Sequence, residues 1–243
     1  MRLLELFSGT HSIGKVAEKR GYTVISVDIN DYSNKGHKKP THQVDILDFN
    51  YKQYESGYFD VIHASPPCCN YSQLQYSWIG RIRIINGERV IFTREMMENS
   101  RKESDKLVKK TLEIIDYFKP KYFIIENPNN SQMKNRKLLD DIKYDIADYC
   151  MYSDWGYKKP TRFWNNIPNL HLLRCNKKCD NIVEGTTIHT NKIGLNGKGA
   201  RKKRMVKHKK TPSDNGGKND RLKRYRIPEK LIDDIFEAMN LDH

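Results

Sequence analysis

The residues best placed for chemistry are a cysteine and a glutamate that each lie in a proline-containing motif. Cys68 ends a Ser-Pro-Pro-Cys sequence at 65–68, and Glu126 opens a Glu-Asn-Pro sequence at 126–128. Two prolines after a strand fix the direction of the chain, so they present a thiol at the strand end. Either residue alone is as typical of structure as of catalysis, because isolated cysteines usually pack as small apolar groups and isolated glutamates are usually solvated. The pair indicates a nucleophile with an acid–base partner in one cleft.

A loop with two glycines, at 7–14, follows the first apolar run and opens a helix. Gly9 and Gly14 allow the backbone to approach a ligand closely, although this spacing is equally typical of a tight turn. Asp28 ends the next strand, where an acidic residue commonly accepts hydrogen bonds from ribose hydroxyls. The sequence has no Gly-Lys-Ser/Thr element, which argues against a P-loop nucleotide site. We therefore predict an adenosine-bearing cofactor, with Asp45 and Ile46 flanking the adenine.

Alternating strands and helices are predicted around these residues. Apolar runs that end in turn residues predict strands at 3–7, 22–29, 59–65 and 121–128 and a short strand ending at 44–45, and amphipathic patterns predict helices at 12–20 and 95–118. Such an α/β chain forms a doubly wound, mostly parallel sheet, which binds ligands at the carboxyl ends of its strands. That edge is predicted to carry Gly9, Asp28, Asp45, Cys68 and Glu126.

The alternating pattern ends after residue 164. We predict a catalytic and cofactor-binding domain at 1–164, a basic, loop-rich lobe at 165–225, and a helix at 226–243 that packs back on the catalytic domain. Pro228 suits the first turn of that helix. Its single apolar stripe consists of Ile227, Leu231, Ile232, Ile235 and Phe236.

The charge of the chain points to a polyanionic partner. The formal net charge is +14 over 243 residues, and basic side chains that neutralise phosphates release counterions and so favour nucleic acid. The densest basic stretch, 198–226, predicts a surface that follows a nucleic-acid backbone, although a solvated linker has the same composition. Its members include Lys198, Arg201, Lys202, Lys203, Arg204, Lys207, Lys209, Lys210, Lys218, Arg221, Lys223, Arg224 and Arg226, and glycines that suit close approach to a groove lie at Gly194, Gly197 and Gly199.

Cysteine usage and hydropathy indicate a protein that stays inside the cell. The five cysteines are an odd number, and Cys68 and Cys69 are adjacent, so an oxidised secretory framework is not expected. No apolar run approaches the roughly 18 residues of a membrane span. We expect a monomer without membrane contact, in the cytoplasm of a bacterium or of a virus- or phage-infected host.

A partial metal motif occurs in the lobe. Cys175 and Cys179 are followed by His189, which resembles part of a zinc site. The fourth ligand is open, with His171, His208 or an acidic residue as candidates. Because a spacing with fewer than four obvious ligands is unspecific, the sequence favours the absence of a metal here.

Three motifs together resemble the 5-cytosine DNA methyltransferase family. Leu-Glu-Leu-Phe-Ser-Gly-Thr-His-Ser-Ile-Gly at 4–14 is similar to its first cofactor motif, 65–68 to its nucleophile motif and 126–128 to its glutamate motif, in the family's order. The resemblance covers about the first 165 residues well and the last helix loosely. It implies a seven-stranded sheet with the last strand antiparallel, a small target-recognition lobe, S-adenosylmethionine as cofactor and double-stranded DNA as partner. The cofactor residues that it implies are Phe7, Gly9, Thr10, Ser12, Gly14, Asp28, Ile29, Asp45, Ile46 and Pro66.

The resemblance also implies residue roles, and two departures from the family pattern. Cys68 would attack carbon 6 of a flipped cytosine, and Glu126 would bond its ring nitrogen 3 and exocyclic amine. In the stretch at 154–164 only Arg162 matches the family's Gln-x-Arg-x-Arg motif, and it would contact the cytosine oxygen or position Glu126. Lys158 and Pro160 stand at the other motif positions. His11-Ser12 replaces the usual glycine pair, where it would crowd the methionine portion of the cofactor.

Three alternatives remain open at the level of the sequence. An amino-methyltransferase on DNA would share Ser65-Pro66-Pro67 but would have no use for Cys68. A tRNA cytosine methyltransferase would share the motifs and the basic charge. A non-enzymatic binding module that retains the fold would be compatible with the altered arginine motif.

Overall fold

A seven-stranded sheet organises the chain. The structure, a computed structural model, describes residues 1–190 and 221–240. The sheet has the order β3-β2-β1-β4-β7-β9-β8. Its strands are β1 (Arg2–Leu6), β2 (Thr23–Asp28), β3 (His42–Gln43), β4 (Val61–Ala64), β7 (Tyr122–Pro128), β8 (Tyr144–Asp148) and β9 (Pro160–Asn165), and the helices are α1 (Ser12–Lys19), α2 (Arg94–Phe118) and α3 (Glu229–Asn240).

Parallel pairing covers most of the sheet. β1 pairs in parallel with β2 and β4, and β4 with β7, whereas β9 runs antiparallel to both β7 and β8. All four residues of β4 are buried, as are the last four of β1, because strands of a parallel sheet are covered on both faces. The mostly parallel α/β sheet and its antiparallel last strand are confirmed.

Two apolar cores cover the two faces. One core packs α1 and α3 against the sheet, and the other packs α2 against the opposite face. Chain order changes direction between β1 and β4, and ligands of doubly wound sheets bind outside the carboxyl ends at such a reversal. The loops that follow β1, β2, β4 and β7 therefore meet at one edge.

Helix α3 packs on α1, and its apolar stripe is buried. Ile227, Leu231, Ile232, Ile235 and Phe236 all belong to the first core. Arg20 bonds the Asp233 carboxylate through Nε and Nη2, at 3.0 and 2.7 Å. None of the helices in residues 1–190 and 221–240 is both long enough and apolar enough to cross a membrane.

The segment after β9 is irregular. It contributes Ile167 and Leu170 to the first core, so the stretch predicted as a separate lobe begins with residues packed in the catalytic domain. Beyond them, up to residue 190, only an isolated bridge between Ile182 and His189 interrupts the loop. The predicted basic residues from Lys198 to Lys218, with the three glycines, lie outside the described residues.

A hairpin that the sequence patterns did not indicate follows the region of Cys68. Its strands are β5 (Ile82–Ile85) and β6 (Glu88–Ile91), joined at Asn86 and Gly87, which both have positive φ. Such a two-residue turn matches the twist of its strands. Ile82, Ile84 and Ile91 are exposed on it.

Candidate active site

Cys68 lies just beyond the carboxyl end of β4. The Ser65 amide donates to the Leu6 carbonyl at 3.2 Å, which continues the β1–β4 ladder by one residue, and the two prolines then end it. Cys68 is half-buried, whereas Cys69 is exposed and starts a short 3₁₀ turn, Cys69–Tyr71. A hydrogen bond to α2 anchors that turn, because the buried Tyr71 hydroxyl donates to Asp105 of this helix at 2.8 Å.

Glu126 lies in β7, the strand next to β4. Its carboxylate is buried and accepts hydrogen bonds from the Ser65 hydroxyl and from the Tyr149 hydroxyl, the latter at 3.5 Å. The neighbouring Asn127 side chain donates from Nδ2 to the Pro66 carbonyl at 2.8 Å, in the interior. This bond joins the glutamate motif to the nucleophile motif and fixes their relative position.

Lys159 supplies the positive charge that acts on both groups. It precedes β9 with a left-handed backbone (φ 32°). Its Nζ donates to the Arg224 carbonyl at 2.7 Å and lies 4.4 Å from the centre of the Tyr149 ring. Its charge acts favourably on Glu126 and on the Cys68 thiolate. The sequence patterns did not single out this residue; its one signal was a lysine directly before the proline that opens β9.

Burial sets the protonation of the three groups. Desolvation, followed by repulsion from Glu126, raises the pKa of Cys68 to about 11. Burial likewise raises the pKa of Glu126, although Lys159 opposes it. Burial lowers the pKa of Lys159, against the attraction of Glu126 and Cys68. At neutral pH the free site therefore holds a thiol, and a carboxyl group that retains a proton more readily than usual.

Arg162, predicted to contact the cytosine oxygen or to position Glu126, lies against Tyr144 and Asn129. Its guanidinium carbon lies 3.8 Å from the centre of the Tyr144 ring, and its Nε donates to Asn129 Oδ1 at 3.2 Å. Side chains alternate along a strand, and the neighbouring Thr161 turns the other way and bonds the Tyr149 hydroxyl. Lys158, placed at the glutamine position, instead contacts the Cys175 carbonyl at 3.4 Å.

The loop at 7–14 meets the end of β2 through a hydrogen bond. Gly9, with φ 49°, donates its amide to Asp28 Oδ2 at 2.8 Å. The other Asp28 oxygen accepts from the Asn30 amide at 2.8 Å, and the carboxylate remains partly exposed. Ile29 beside it is 59% exposed and presents apolar surface. Phe7, also at positive φ, opens the same loop. A carboxylate with spare lone pairs next to an open apolar side chain fits a ribose and its adenine.

Other predicted cofactor residues are engaged within the protein. Thr10 is buried and its hydroxyl lies 2.8 Å from that of Ser12, which accepts from the Ile227 amide at 3.3 Å. Asp45 accepts from the Leu47 amide at 2.9 Å. Ile46 packs into the second core.

The buried ring of His11 occupies the space in which a side chain at position 14 would lie. The imidazole is buried, with Nδ1 2.6 Å from Glu5 Oε2. It lies against Gly14, where an added Cβ would come within 2.0 Å of the ring. Glu5 Oε1 also accepts from the Gly14 and Ile13 amides at 3.2 Å. The buried ring thus leaves no room for a side chain at position 14, which is a reason for glycine there that the sequence patterns did not indicate.

The metal candidates of the lobe come together with a cysteine outside it. Cys175, Cys179 and His189 form a cluster with Cys150, which follows β8. His171 is exposed and is not part of the cluster. His208 lies outside the described residues.

Comparisons with known proteins identify a family. The family model "C-5 cytosine-specific DNA methylase" matches residues 1–153. A protein of Frog virus 3 (isolate Goorha), described as "Probable DNA (cytosine-5)-methyltransferase", is 33% identical over 245 residues, which cover 98% of this chain and 99% of the viral protein.

Two solved structures are similar to 68% of this chain at lower identity. One is an E. coli prophage protein described as a DNA modification methyltransferase (TM-score 0.43, 17% identity), and the other is a triple mutant of Spodoptera frugiperda DNMT2 (TM-score 0.41, 16% identity). The alignments span 46% and 49% of those two chains.

The family model matches most of the chain, and the viral relative aligns over nearly its full length. The three motifs at 4–14, 65–68 and 126–128 all lie within the residues that the family model matches. The chain therefore belongs to the C-5 cytosine-specific DNA methylase family.

Proposed function

We propose that this methylase transfers a methyl group from S-adenosylmethionine to carbon 5 of a cytosine flipped out of double-stranded DNA, acting as a monomer inside the cell. The proposal is carried by one observation, the bond from Asn127 to the Pro66 carbonyl that holds the Glu126 and Cys68 motifs together. An amino-methyltransferase would need neither the thiol nor this glutamate.

Cys68 acts as the nucleophile. Carbon 5 of cytosine is a poor nucleophile until a thiolate adds to carbon 6, which forms the sulfur–carbon bond and moves the ring electrons toward carbon 5 and nitrogen 3. The thiol must lose its proton for this step, and its pKa of about 11 makes the thiolate rare in the free enzyme. The positive charge of Lys159 favours the thiolate once the base is bound.

Glu126 balances the charge that develops in the ring. A carboxyl group with a raised pKa can share its proton with nitrogen 3 and accept a hydrogen bond from the exocyclic amine. The Ser65 and Tyr149 hydroxyls hold the carboxylate in place. After transfer, water takes the carbon 5 proton, the electrons of that bond form the carbon 5–carbon 6 double bond, and Cys68 leaves as the thiolate.

The loop at 7–14 and the end of β2 would hold the cofactor. Asp28 would accept hydrogen bonds from the ribose, and Ile29 would cover the adenine. S-adenosylmethionine would supply an electrophilic methyl group to carbon 5.

DNA binding is supported by charge. The net charge of +14 favours a polyanion. None of the reacting atoms is reachable in a stacked duplex, so the base must be flipped, at a cost of a few kcal/mol that phosphate and pocket contacts offset.

Trapping with a fluorinated base tests the mechanism. Fluorine at carbon 5 blocks the final proton loss, so a DNA duplex with 5-fluorocytosine at the target should leave a stable adduct on the peptide that contains Cys68. The Cys69→Ser variant should still form it, and Cys68→Ser should not. An active enzyme without an adduct would rule out the thiolate mechanism, and an adduct with tRNA but not DNA would move the proposal to the tRNA enzyme class.

A further inference from the structure

A second cluster of reactive side chains lies beside the active site. Cys150, Cys175, Cys179 and His189 each offer one atom, and these four atoms all lie within 4.8 Å of one another. His189 Nε2 is 3.4 Å from the Cys179 sulfur and 3.6 Å from the Cys175 sulfur. In a zinc tetrahedron with bonds of ~2.3 Å to sulfur and ~2.0 Å to nitrogen, the distance between sulfur and nitrogen is about 3.5 Å. The cluster thus has the size of a zinc site.

Backbone amides donate to two of the three sulfurs, those of Cys175 and Cys179. The Lys177 amide donates to the Cys175 sulfur at 3.4 Å. The amides of Cys179 and Asn181 donate to the sulfurs of Cys175 and Cys179 respectively. Backbone donors of this kind orient ligands and compensate their negative charge.

Polar side chains hold the ligand loop in place. The fully buried Asp148 accepts from the Cys175 amide at 2.7 Å through Oδ2. Asn181 donates from Nδ2 to the carbonyls of Cys150 and Ser153, at 2.9 and 2.8 Å, and accepts from the Gly156 amide at 2.9 Å. The loop is therefore fixed to the turn that carries Cys150.

We propose that Cys150, Cys175, Cys179 and His189 bind one structural zinc ion. Three thiolates and an imidazole favour Zn²⁺ over the hard cations Mg²⁺ and Ca²⁺. Four protein ligands complete a tetrahedron and leave no position for a reacting water, so the ion is structural. The site is separate from the methyl-transfer chemistry and does not depend on it.

The ion would stabilise a part of the chain that has little regular structure. Between residues 171 and 190 the only pairing of strand type is the bridge at His189. Small loop-rich segments rarely bury enough apolar surface to hold one conformation, and a metal supplies the missing free energy. Cys150 follows Tyr149, whose hydroxyl contacts Glu126. The zinc would thus also hold one wall of the active site.

Metal content of the full-length protein tests the proposal. We expect elemental analysis of protein purified without chelators to find one zinc ion per chain. Cys150→Ser and His189→Ala should each lower that content severalfold, whereas the matched controls Cys69→Ser and His171→Ala, an exposed cysteine and an exposed histidine outside the cluster, should keep it. A Cys150→Ser variant that retains full zinc would overturn the assignment.

Two measurements on the wild-type protein apply even where the variants fail to fold. Cobalt exchanged into the site should give the intense charge-transfer absorption of thiolate-bound Co²⁺ and the visible bands of a tetrahedral ion. Denatured protein, treated with chelator but no reductant, should show all five cysteines as free thiols. Folded wild-type protein with only trace zinc, or with two of its thiols lost to a disulfide, would contradict the proposal.

Discussion

The two adjacent cysteines differ in their environment. Cys68 is half-buried beside Glu126, and its pKa is raised to about 11 by burial and by that carboxylate, while Cys69 is exposed. Only the thiolate reacts with alkylating agents. In a Cys69→Ser background we expect alkylation of Cys68 by iodoacetamide to be slow at neutral pH and to rise about tenfold per pH unit toward pH 11. Peptide mass spectrometry follows it, and a rate that levels off near pH 8 would show that the free thiol is activated.

The positive charge of Lys159 is expected to contribute to the rate of methyl transfer. We expect Lys159→Met to lower kcat by about 10²-fold, because both Glu126 and the Cys68 thiolate lose their nearby positive charge, with partial recovery in Lys159→Arg. The pH at which the rate rises should also shift upward, since the thiolate loses its stabilising cation, and a merely structural loss would not move it. Arg162→Gln is the charge-matched control, with kcat within a few fold of the wild type. A large loss of kcat in Arg162→Gln, with only a small loss in Lys159→Met, would show instead that Arg162 is the cation that acts at the site.

Cys68 and Glu126 could be predicted from the sequence, because a thiol and a carboxyl group at the ends of predicted strands have a chemical use in a shared cleft. The role of Arg162 was taken from the family resemblance alone, because β9 was not located, and without the strand register the direction of each side chain is unknown. A shift of one residue along a strand moves a side chain to the other face. Lys159, half-buried before Pro160, is therefore a finding that only the folded chain provides.

Among the elements, helix α1 has a glycine in its first turn because the buried His11 ring leaves no room for a side chain at position 14. Alanine in a helix is ordinarily more stable than glycine by about 1 kcal/mol, but a Cβ at Gly14 would meet the His11 ring at 2.0 Å. We expect Gly14→Ala to destabilise the protein by about 2 kcal/mol in urea unfolding, as overpacking of a buried position does.

The double variant His11→Ala with Gly14→Ala provides the control for that expectation. Removing the ring removes the clash, so the alanine should cost less there than in the wild-type background, with an interaction free energy of about 1 kcal/mol or more. Additive losses would mean that the ring does not determine the need for glycine.

The predictable elements were those with a strong pattern. Buried strands such as β4 and the long helix α2 agree with their predicted ranges within a few residues, because apolar runs and helical periodicity reflect burial directly. The β5–β6 hairpin was missed, although its Asn86-Gly87 turn is a strong local signal. Its strands are largely exposed, so the hydrophobic pattern gave no indication of a core.

At the scale of the whole molecule, the positive charge should determine DNA affinity. Each phosphate contact adds about 0.9 to the slope of log affinity against log salt. Lys202→Gln with Lys203→Gln should weaken binding to all sequences and lower that slope by up to about 1.8. Lys119→Gln with Lys121→Gln is matched in charge but lies where α2 ends and β7 begins, at the sheet edge opposite the site, and should leave the slope unchanged. If the variant lost its preference for the target motif while its affinity stayed unchanged, Lys202 and Lys203 would contact bases and not phosphates.

Long-range assembly is the part that the sequence could not provide. Cys150 lies 25 residues before Cys175 and on the other side of the predicted boundary at 164, so no spacing rule connects them. Such contacts depend on tertiary packing.

Nucleoside analysis shows whether the protein methylates cytosine at carbon 5. DNA incubated with the purified protein and S-adenosylmethionine is digested to nucleosides and separated by chromatography with mass detection. We expect 5-methylcytosine, which should be absent with Cys68→Ser and retained with Cys69→Ser. Detection of 4-methylcytosine or 6-methyladenine, or of 5-methylcytosine in the Cys68→Ser variant, would contradict this expectation.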